Sequence, residues 1–174
     1  TIKILTQLEH KYANFNGLNL TWETLEGIAK HNGPIIGEHR DKKRYDGSVS
    51  DVIAAYTAKH DLEIDKFASA EAQISALADD IAYNNHDIED GLNAGLLSFG
   101  GLEELPLVGE ALFEVKAAYP GIDQDRLRHE VTRRMINIMI TDLTYQTIQN
   151  IESNTIKTVD DIRNLTVQVR IPPQ

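Results

Sequence analysis

The sequence predicts an all-α fold, a helical bundle in which each amphipathic helix buries one apolar face. In the longest segments, apolar residues recur every three or four positions, which is the period of a helix and not of a strand. Turn-forming Asn-Gly, Gly-Gly and Pro-Gly pairs fall between these segments. No repeat of the length that solenoid proteins show is visible. We therefore expect one helical domain.

The first two helices are predicted from their apolar spacing and from the turns that follow them. The first helix reaches about residue 12 and is ended by an Asn-Gly turn. Thr21 is a favourable N-cap, because its hydroxyl can accept a hydrogen bond from a free backbone N–H of the first turn. The second helix then runs to Lys30-His31, ahead of an Asn-Gly-Pro stop.

A loop and a third helix are expected next. Residues 33–47 are polar and lack a helical period, which predicts a mobile surface loop. Ser48 or Ser50 can cap a helix that continues through His60.

The longest predicted helix spans residues 69–99, starts at Ser69 and ends at the Gly100-Gly101 pair. A shorter helix follows near residues 108–118 and is closed by Pro-Gly.

The C-terminal part is dominated by one long helix over residues 123–152, with Asp123 as its cap. A short helix is expected over residues 158–164, and an extended tail over residues 166–171.

The charge of the chain restricts its partners. Lys and Arg total 17 against 27 Asp and Glu, which gives a formal net charge of −10. This charge repels phosphate backbones and anionic lipid at long range, so we expect no general binding to nucleic acid or membranes. The absence of Cys excludes thiolate metal sites and Cys nucleophiles. Without a long apolar run or a signal peptide, the sequence predicts a cytoplasmic protein.

One face of the longest helix carries the most reactive set of side chains. Asp79, Tyr83 and Asp87 are four residues apart and so form one ridge, with His86 and Asp90 nearby. The opposite face is apolar and is predicted to contact a core through Ile74, Leu77, Ile81, Ile88, Leu92 and Leu96. A solvated polar face would look similar, but a Tyr in its middle favours a ligand groove.

Two segments carry a family resemblance. Residues 77–91 read LADDIAYNNHDIEDG, and residues 17–34 read GLNLTWETLEGIAKHNGP. Together, in this order, they resemble signatures of the HD-domain deoxynucleoside triphosphate triphosphohydrolases, the bacterial dGTPase family. The resemblance continues loosely through the long C-terminal helix. It implies an HD-type helical fold and an enzyme that converts dGTP, or another dNTP, to the deoxynucleoside and triphosphate.

The resemblance also implies roles for individual residues. In that family a His, a His-Asp pair and a later Asp hold one divalent metal, and the match places the later Asp at Asp79, with Asp80 as second choice. Tyr83 matches the position that lies under the deoxyribose, and Asp87 matches the one that accepts a hydrogen bond from its 3′-hydroxyl.

Cations are needed besides the metal to bind a triphosphate. Lys30 ends the second helix, where it either stabilises the helix C-terminus or reaches a substrate phosphate. On the long C-terminal helix, Arg126 and Arg133 share a face with His129. They either pair with neighbouring acids or contact polyphosphate.

The upstream ligands of the family have no match in this chain. The His-Asp pairs His60-Asp61 and His86-Asp87 do not stand where the family has its pair. We therefore expect the missing ligands and the catalytic residues to precede Thr1, so that the chain is a truncated HD-type domain and is inactive alone. The resemblance further implies a homo-oligomer. The alternative is a helical interaction or regulatory module without chemistry of its own.

Overall fold

The structure is a computed structural model that describes residues 1–165. The extended tail expected at residues 166–171 lies outside the described residues. Within them the chain is helical and contains no β-strand, apart from an isolated bridge between Tyr12 and Phe15. The all-α prediction is thereby confirmed. Among the helices of this part, none combines the length and the hydropathy that a membrane span requires.

The described chain opens with a short π-helical segment, Ile4–Leu8, which is followed by α-helices. In chain order these are α1 (Trp22–Lys30), α2 (Asp51–Thr57), α3 (Ala70–Asn93), α4 (Phe99–Leu102), α5 (Pro106–Ala118), α6 (Gln124–Ser153) and α7 (Val159–Arg163). The helices belong to two compact units, whose boundaries fall within α3 and at the C-terminal end of α6. We call residues 1–76 with 150–165 the N-terminal unit and residues 77–149 the central unit.

The local capping signals are confirmed. Each predicted cap accepts a hydrogen bond from the backbone N–H three residues further along, which satisfies one free donor of the first turn. The predicted caps are Thr21, Ser50 and Asp123. Ser69 and Thr158, where two further helices were expected to begin, accept the same kind of bond. Residues 33–47 form turns without a helix, as expected, whereas α2 ends at Thr57, three residues before the predicted end at His60.

The first helix is shorter than predicted, because it ends at Leu8 and not near residue 12. The chain turns back on this segment, and the N–H of Leu18 donates to the carbonyl of Leu5 over 2.8 Å. That carbonyl can no longer support a continuing helix. A Cβ on Gly17 would lie 2.6 Å from the same oxygen, and Gly17 has a φ of +78°, so this close return requires glycine.

The longest helix also ends early, at Asn93 instead of near residue 99. Gly95 takes a φ of +69°, a left-handed conformation that terminates helices and that glycine adopts without strain. The pair Gly100-Gly101 lies inside α4 and so does not end α3. Leu96, expected on the apolar stripe, is consequently 82% exposed.

The N-terminal unit has its own apolar core. Its buried members come from the N-terminus, α1 and the loops that flank α2, and they are Ile2, Leu25, Ile35, Leu62 and Ile64. Trp22 packs against this cluster and donates from its indole Nε1 to the carbonyl of Asp61 over 2.6 Å. Trp22 is therefore a packing residue of this core.

The central unit is built around α5 and α6. On α6, Leu127, Val131 and Met135 are buried at intervals of four residues, which places them on one stripe. They pack with the buried residues of α5, which are Val108, Ala111, Leu112 and Val115. Ile88 of α3 and Phe99 of α4 are half-buried against this core. The core thus supports the segment of α3 that carries the polar ridge, while Ile74 of the predicted apolar stripe is exposed.

Candidate functional site

Three side chains of α3 form an exposed ridge in the central unit. Asp79, Tyr83 and Asp87 follow one another at intervals of four residues, so each lies about one turn beyond the last. All three are exposed, and 64% of Tyr83 is accessible. Within residues 1–165 none of these three side chains makes a hydrogen bond or an ion pair. The ridge therefore presents two carboxylates and a phenol that are available to a ligand.

The opposite face of α3 holds this ridge outward. Ile81 and Asn85 are buried there, and Asn85 lies about 200° around the helix from Tyr83. The side-chain Nδ2 of Asn85 donates to the carbonyl of Ile81 over 2.7 Å and lies 3.4 Å from Sδ of Met139 on α6. Packing against α6 thus sets the rotation of α3 about its axis.

The neighbours of the ridge are also exposed. Asp80 lies one residue from Asp79 and therefore about 100° around the helix, and His86 and Asp90 lie one and three residues from Asp87. In the part of the chain that the structure describes, no three or more His, Cys, Asp or Glu side chains come together as a metal site. These residues alone do not fit a metal, because a divalent cation at Asp79 requires further ligands.

The basic residues of α6 pair with nearby acids. Arg126 contacts Asp123 over 3.3 Å, and Arg133 contacts Glu130. Both guanidinium groups are largely exposed, and pairs of this kind contribute about 0–1 kcal/mol. Both arginines therefore pair with neighbouring acids in this structure, and their contact with polyphosphate stays a prediction.

One contact links this basic segment to the helix that carries the ridge. Nδ1 of His129 lies 3.2 Å from a carboxylate oxygen of Glu89. Glu89 follows Asp87 by two residues on α3. Arg126 and Arg133 are therefore attached to the same packed unit as Asp79, Tyr83 and Asp87.

Lys30 lies in the N-terminal unit and is fully buried. Its Nζ donates to the carbonyl of Glu63 over 2.8 Å and lies 3.1 Å from the carboxylate of Glu26. Burial, which removes water from the ammonium, lowers the pKa of Lys30, while the hydrogen bond and charge of Glu26 act in the opposite sense. The phosphate-binding role of Lys30 stays a prediction, because its contacts in this structure are internal.

The ion pair of buried Glu26 with half-buried Arg163 is a feature that sequence reasoning missed. Arg163 of α7 donates to both carboxylate oxygens of Glu26, over 3.0 and 3.2 Å, and its guanidinium lies 4.9 Å from the ring centre of Trp22. The four-residue spacing of Glu26 and Lys30 on α1 was a usable signal for an ion pair. Arg163 gave none, since it is 137 positions away.

Comparison with known proteins gives one consistent result. No family model matches the chain. It is 46% identical over 169 residues to a deoxyguanosinetriphosphate triphosphohydrolase-like protein of Rickettsia rickettsii, which is 97% of this chain and 41% of that protein. Proteins of the same description from Brucella suis and Sinorhizobium medicae are 48% and 52% identical, over 94% and 82% of the chain. The chain spans about two fifths of the length of these relatives.

Proposed function

Because the chain is homologous, over the segment that it spans, to the deoxyguanosinetriphosphate triphosphohydrolase-like proteins, we propose that it forms part of a deoxynucleoside triphosphate triphosphohydrolase. In this reaction the oxygen of water bonds to the α-phosphorus. The bond from that phosphorus to the 5′-oxygen breaks, and the deoxynucleoside leaves with a proton on this oxygen. The other product is triphosphate, and dGTP is the substrate that we propose first.

The observation that carries this proposal is the ridge of α3. Tyr83 is 64% exposed, and the carboxylate of Asp87, one helical turn away, makes no hydrogen bond or ion pair among the described residues. An aromatic ring can pack against the apolar face of a deoxyribose, and the carboxylate of Asp87 can accept a hydrogen bond from its 3′-hydroxyl. The sugar is therefore the part of the substrate that this chain recognises in our proposal.

The remaining ridge residue is proposed to act through a cofactor. Asp79 would supply one oxygen ligand to a divalent cation such as Mg²⁺ or Mn²⁺, and other parts of a longer protein would supply the rest. Arg126 and Arg133 are proposed to neutralise phosphate charge, since their exposed pairs are weak. Lys30 could neutralise phosphate charge only if its contacts with Glu26 and Glu63 were replaced by contacts with the phosphate.

The test is product analysis with a longer protein that contains this chain. Incubation with dGTP and a divalent metal should release deoxyguanosine and intact triphosphate, without dGDP or dGMP. Asp79→Ala should abolish release and reduce bound metal, whereas Asp80→Ala should keep more of both, because its side chain points to another face of the helix. Loss of metal with Asp80→Ala alone would shift the ligand assignment by one residue.

An interaction or regulatory module remains the alternative. It would give no turnover on any dNTP in the longer protein, and ridge substitutions would then change partner binding without changing nucleotide chemistry.

A further inference from the structure

His129 lies between the two exposed arginines of α6. It follows Arg126 by three residues and precedes Arg133 by four, so the three side chains form one stripe of the helix. The side chain of His129 is 65% exposed, and both guanidinium groups are more exposed still. A ligand in solution can therefore reach the imidazole and both arginines from the same side.

Glu89 determines which nitrogen of this imidazole is available. Its carboxylate lies on α3, 3.2 Å from Nδ1 of His129, and most of the Glu89 side chain is covered by protein. Because a carboxylate only accepts hydrogen bonds, the proton of the neutral ring is held on Nδ1. Nε2, on the other side of the ring, makes no hydrogen bond within residues 1–165. The fold thus engages one ring nitrogen and leaves the other to a ligand.

The protonation state of the ring decides what Nε2 offers. In the neutral ring held by Glu89, Nε2 carries a lone pair, which repels an anionic oxygen. In the protonated ring, Nε2 donates a charge-assisted hydrogen bond, and a histidine side chain changes charge between about pH 5 and 8. A ligand at Nε2 also leaves the contact with Glu89 intact, whereas a ligand at Arg126 competes with Asp123.

The charged surroundings of His129 come from α3 and from α6 itself. On α3 the ring contacts Glu89, which has Asp90 beside it and His86 almost one turn before it. α5 packs on the opposite side of α6, through Leu127 and Val131. The charged residues of α6 within about one turn of His129 are Asp125, Arg126, Arg128, Glu130 and Arg133.

We propose that protonated His129 donates from Nε2 to a phosphate of the triphosphate chain, and that Glu89 is the positioning residue that orients the ring for this contact. The inference rests on the proposed function, because the phosphate belongs to the substrate or to the triphosphate product of that reaction. Arg126 and Arg133 add charge on either side. The affinity for the triphosphate chain therefore falls as the pH rises through the range in which histidine loses its charge.

The test is calorimetric titration with inorganic triphosphate, without added metal, at pH 6 and pH 8, on a longer protein that contains this chain. Triphosphate itself loses a proton in this range, so the wild type is compared with His129→Ala. The ratio of the affinity at pH 6 to that at pH 8 should be about tenfold larger for the wild type, which alone loses a charge-assisted hydrogen bond. Equal ratios would overturn the contact at His129.

Three further variants make the test specific. Glu89→Gln and Glu89→Ala both remove the charge, but the Gln oxygen still accepts from Nδ1, so Glu89→Gln should bind triphosphate more tightly at pH 6. Equal affinities of these two variants would overturn the positioning role of Glu89. Arg134→Gln is the matched control, because Arg134 joins α6 to Glu114 of α5 over 2.9 Å and should keep the wild-type ratio. If Arg134→Gln lowers the ratio as much as His129→Ala does, the effect is not specific and the proposal fails.

Failure of the proposed function gives a different result. Triphosphate would then bind with the pH dependence of the wild type and with its dependence on His129, but dGTP and a divalent metal would give no deoxyguanosine. That result would support the phosphate contact and contradict the triphosphohydrolase activity alone.

Discussion

Arg163 and Glu26 form a two-hydrogen-bond ion pair that joins α7 to α1, although 137 positions separate them in the sequence. Glu26 is fully buried and also contacts the ammonium of Lys30. One buried carboxylate therefore balances two cations. The packing of α7 in the N-terminal unit depends on this charge arrangement, which has consequences for stability.

Removing the charge of Glu26 should destabilise the chain strongly. Glu26→Gln keeps the size of the side chain but leaves Lys30 and Arg163 without their shared counter-charge. Breaking a buried ion pair in this way costs about 3–5 kcal/mol of unfolding free energy, which urea denaturation measures. Glu103→Gln is the matched control, since its pair with Lys116 is exposed and should contribute less than about 1 kcal/mol. Equal losses in the two variants would contradict a buried network.

The lowered pKa of Lys30 should make stability rise with pH in the alkaline range. Between this lowered pKa and the ordinary value of 10.5, the unfolded chain binds more protons at Lys30 than the folded chain does. The unfolding free energy therefore increases with pH across that window and is reduced below it. Lys30→Met should flatten the increase, whereas Lys66→Met, at a partly exposed pair with Glu63, should not. Parallel pH profiles for wild type and Lys30→Met would rule out this linkage.

The 174-residue chain on its own should not hydrolyse dNTPs and should bind divalent metal weakly. Asp79 and its exposed neighbours offer too few ligands, because the described residues contain no cluster of three. Isothermal titration with Mn²⁺ and a dGTP turnover assay measure both properties. The control is a longer protein containing the same chain, assayed in parallel. Stoichiometric tight metal, or turnover above blank, by the 174-residue chain would show that the chain needs no further ligands.

In the longer protein, Asp87 and Tyr83 should control different features of the sugar. A 2′,3′-dideoxynucleotide lacks the 3′-hydroxyl that donates to Asp87, which should cost on the order of 1–3 kcal/mol. The wild type should therefore hydrolyse dGTP faster than ddGTP, and Asp87→Asn should reduce this difference in rate. A ribonucleotide crowds its 2′-hydroxyl against the ring, so Tyr83→Ala should narrow the gap between dGTP and GTP. Rates with dGTP, ddGTP and GTP measure both gaps.

Stability provides the control for this experiment. Neither side chain belongs to the buried face of α3, so both variants should unfold within about 0.5 kcal/mol of the wild type. If both variants keep the wild-type rate ratios among dGTP, ddGTP and GTP, the ridge is only a solvated helix face.

Local features of this fold could be predicted from sequence, and non-local ones could not. Thr21 and Asp123 were identified as caps because the donors they satisfy lie within three residues. The predicted end of α3 near residue 99 was wrong. Gly95 and the Gly100-Gly101 pair are both able to end a helix, and the sequence does not indicate which of them does so.

The same limit applies to the candidate site. The ridge follows from helical spacing alone, and the structure shows its three side chains exposed. The burial of Lys30 depends on Glu63 and on neighbours brought together only by folding, so the sequence pattern could not distinguish a buried ammonium from an exposed one.

The placement of Asn85 and Tyr83 on opposite sides of α3 bears on how such a protein can evolve. Asn85 contacts Met139 of α6 and Ile81 is buried, whereas the side chains of Tyr83 and Asp87 are exposed. Mutations at the ridge can therefore accumulate with little loss of stability, while those on the buried face are selected against for folding alone. Under our proposal, substrate preference can diverge among descendants of this sequence without a change in the helical scaffold.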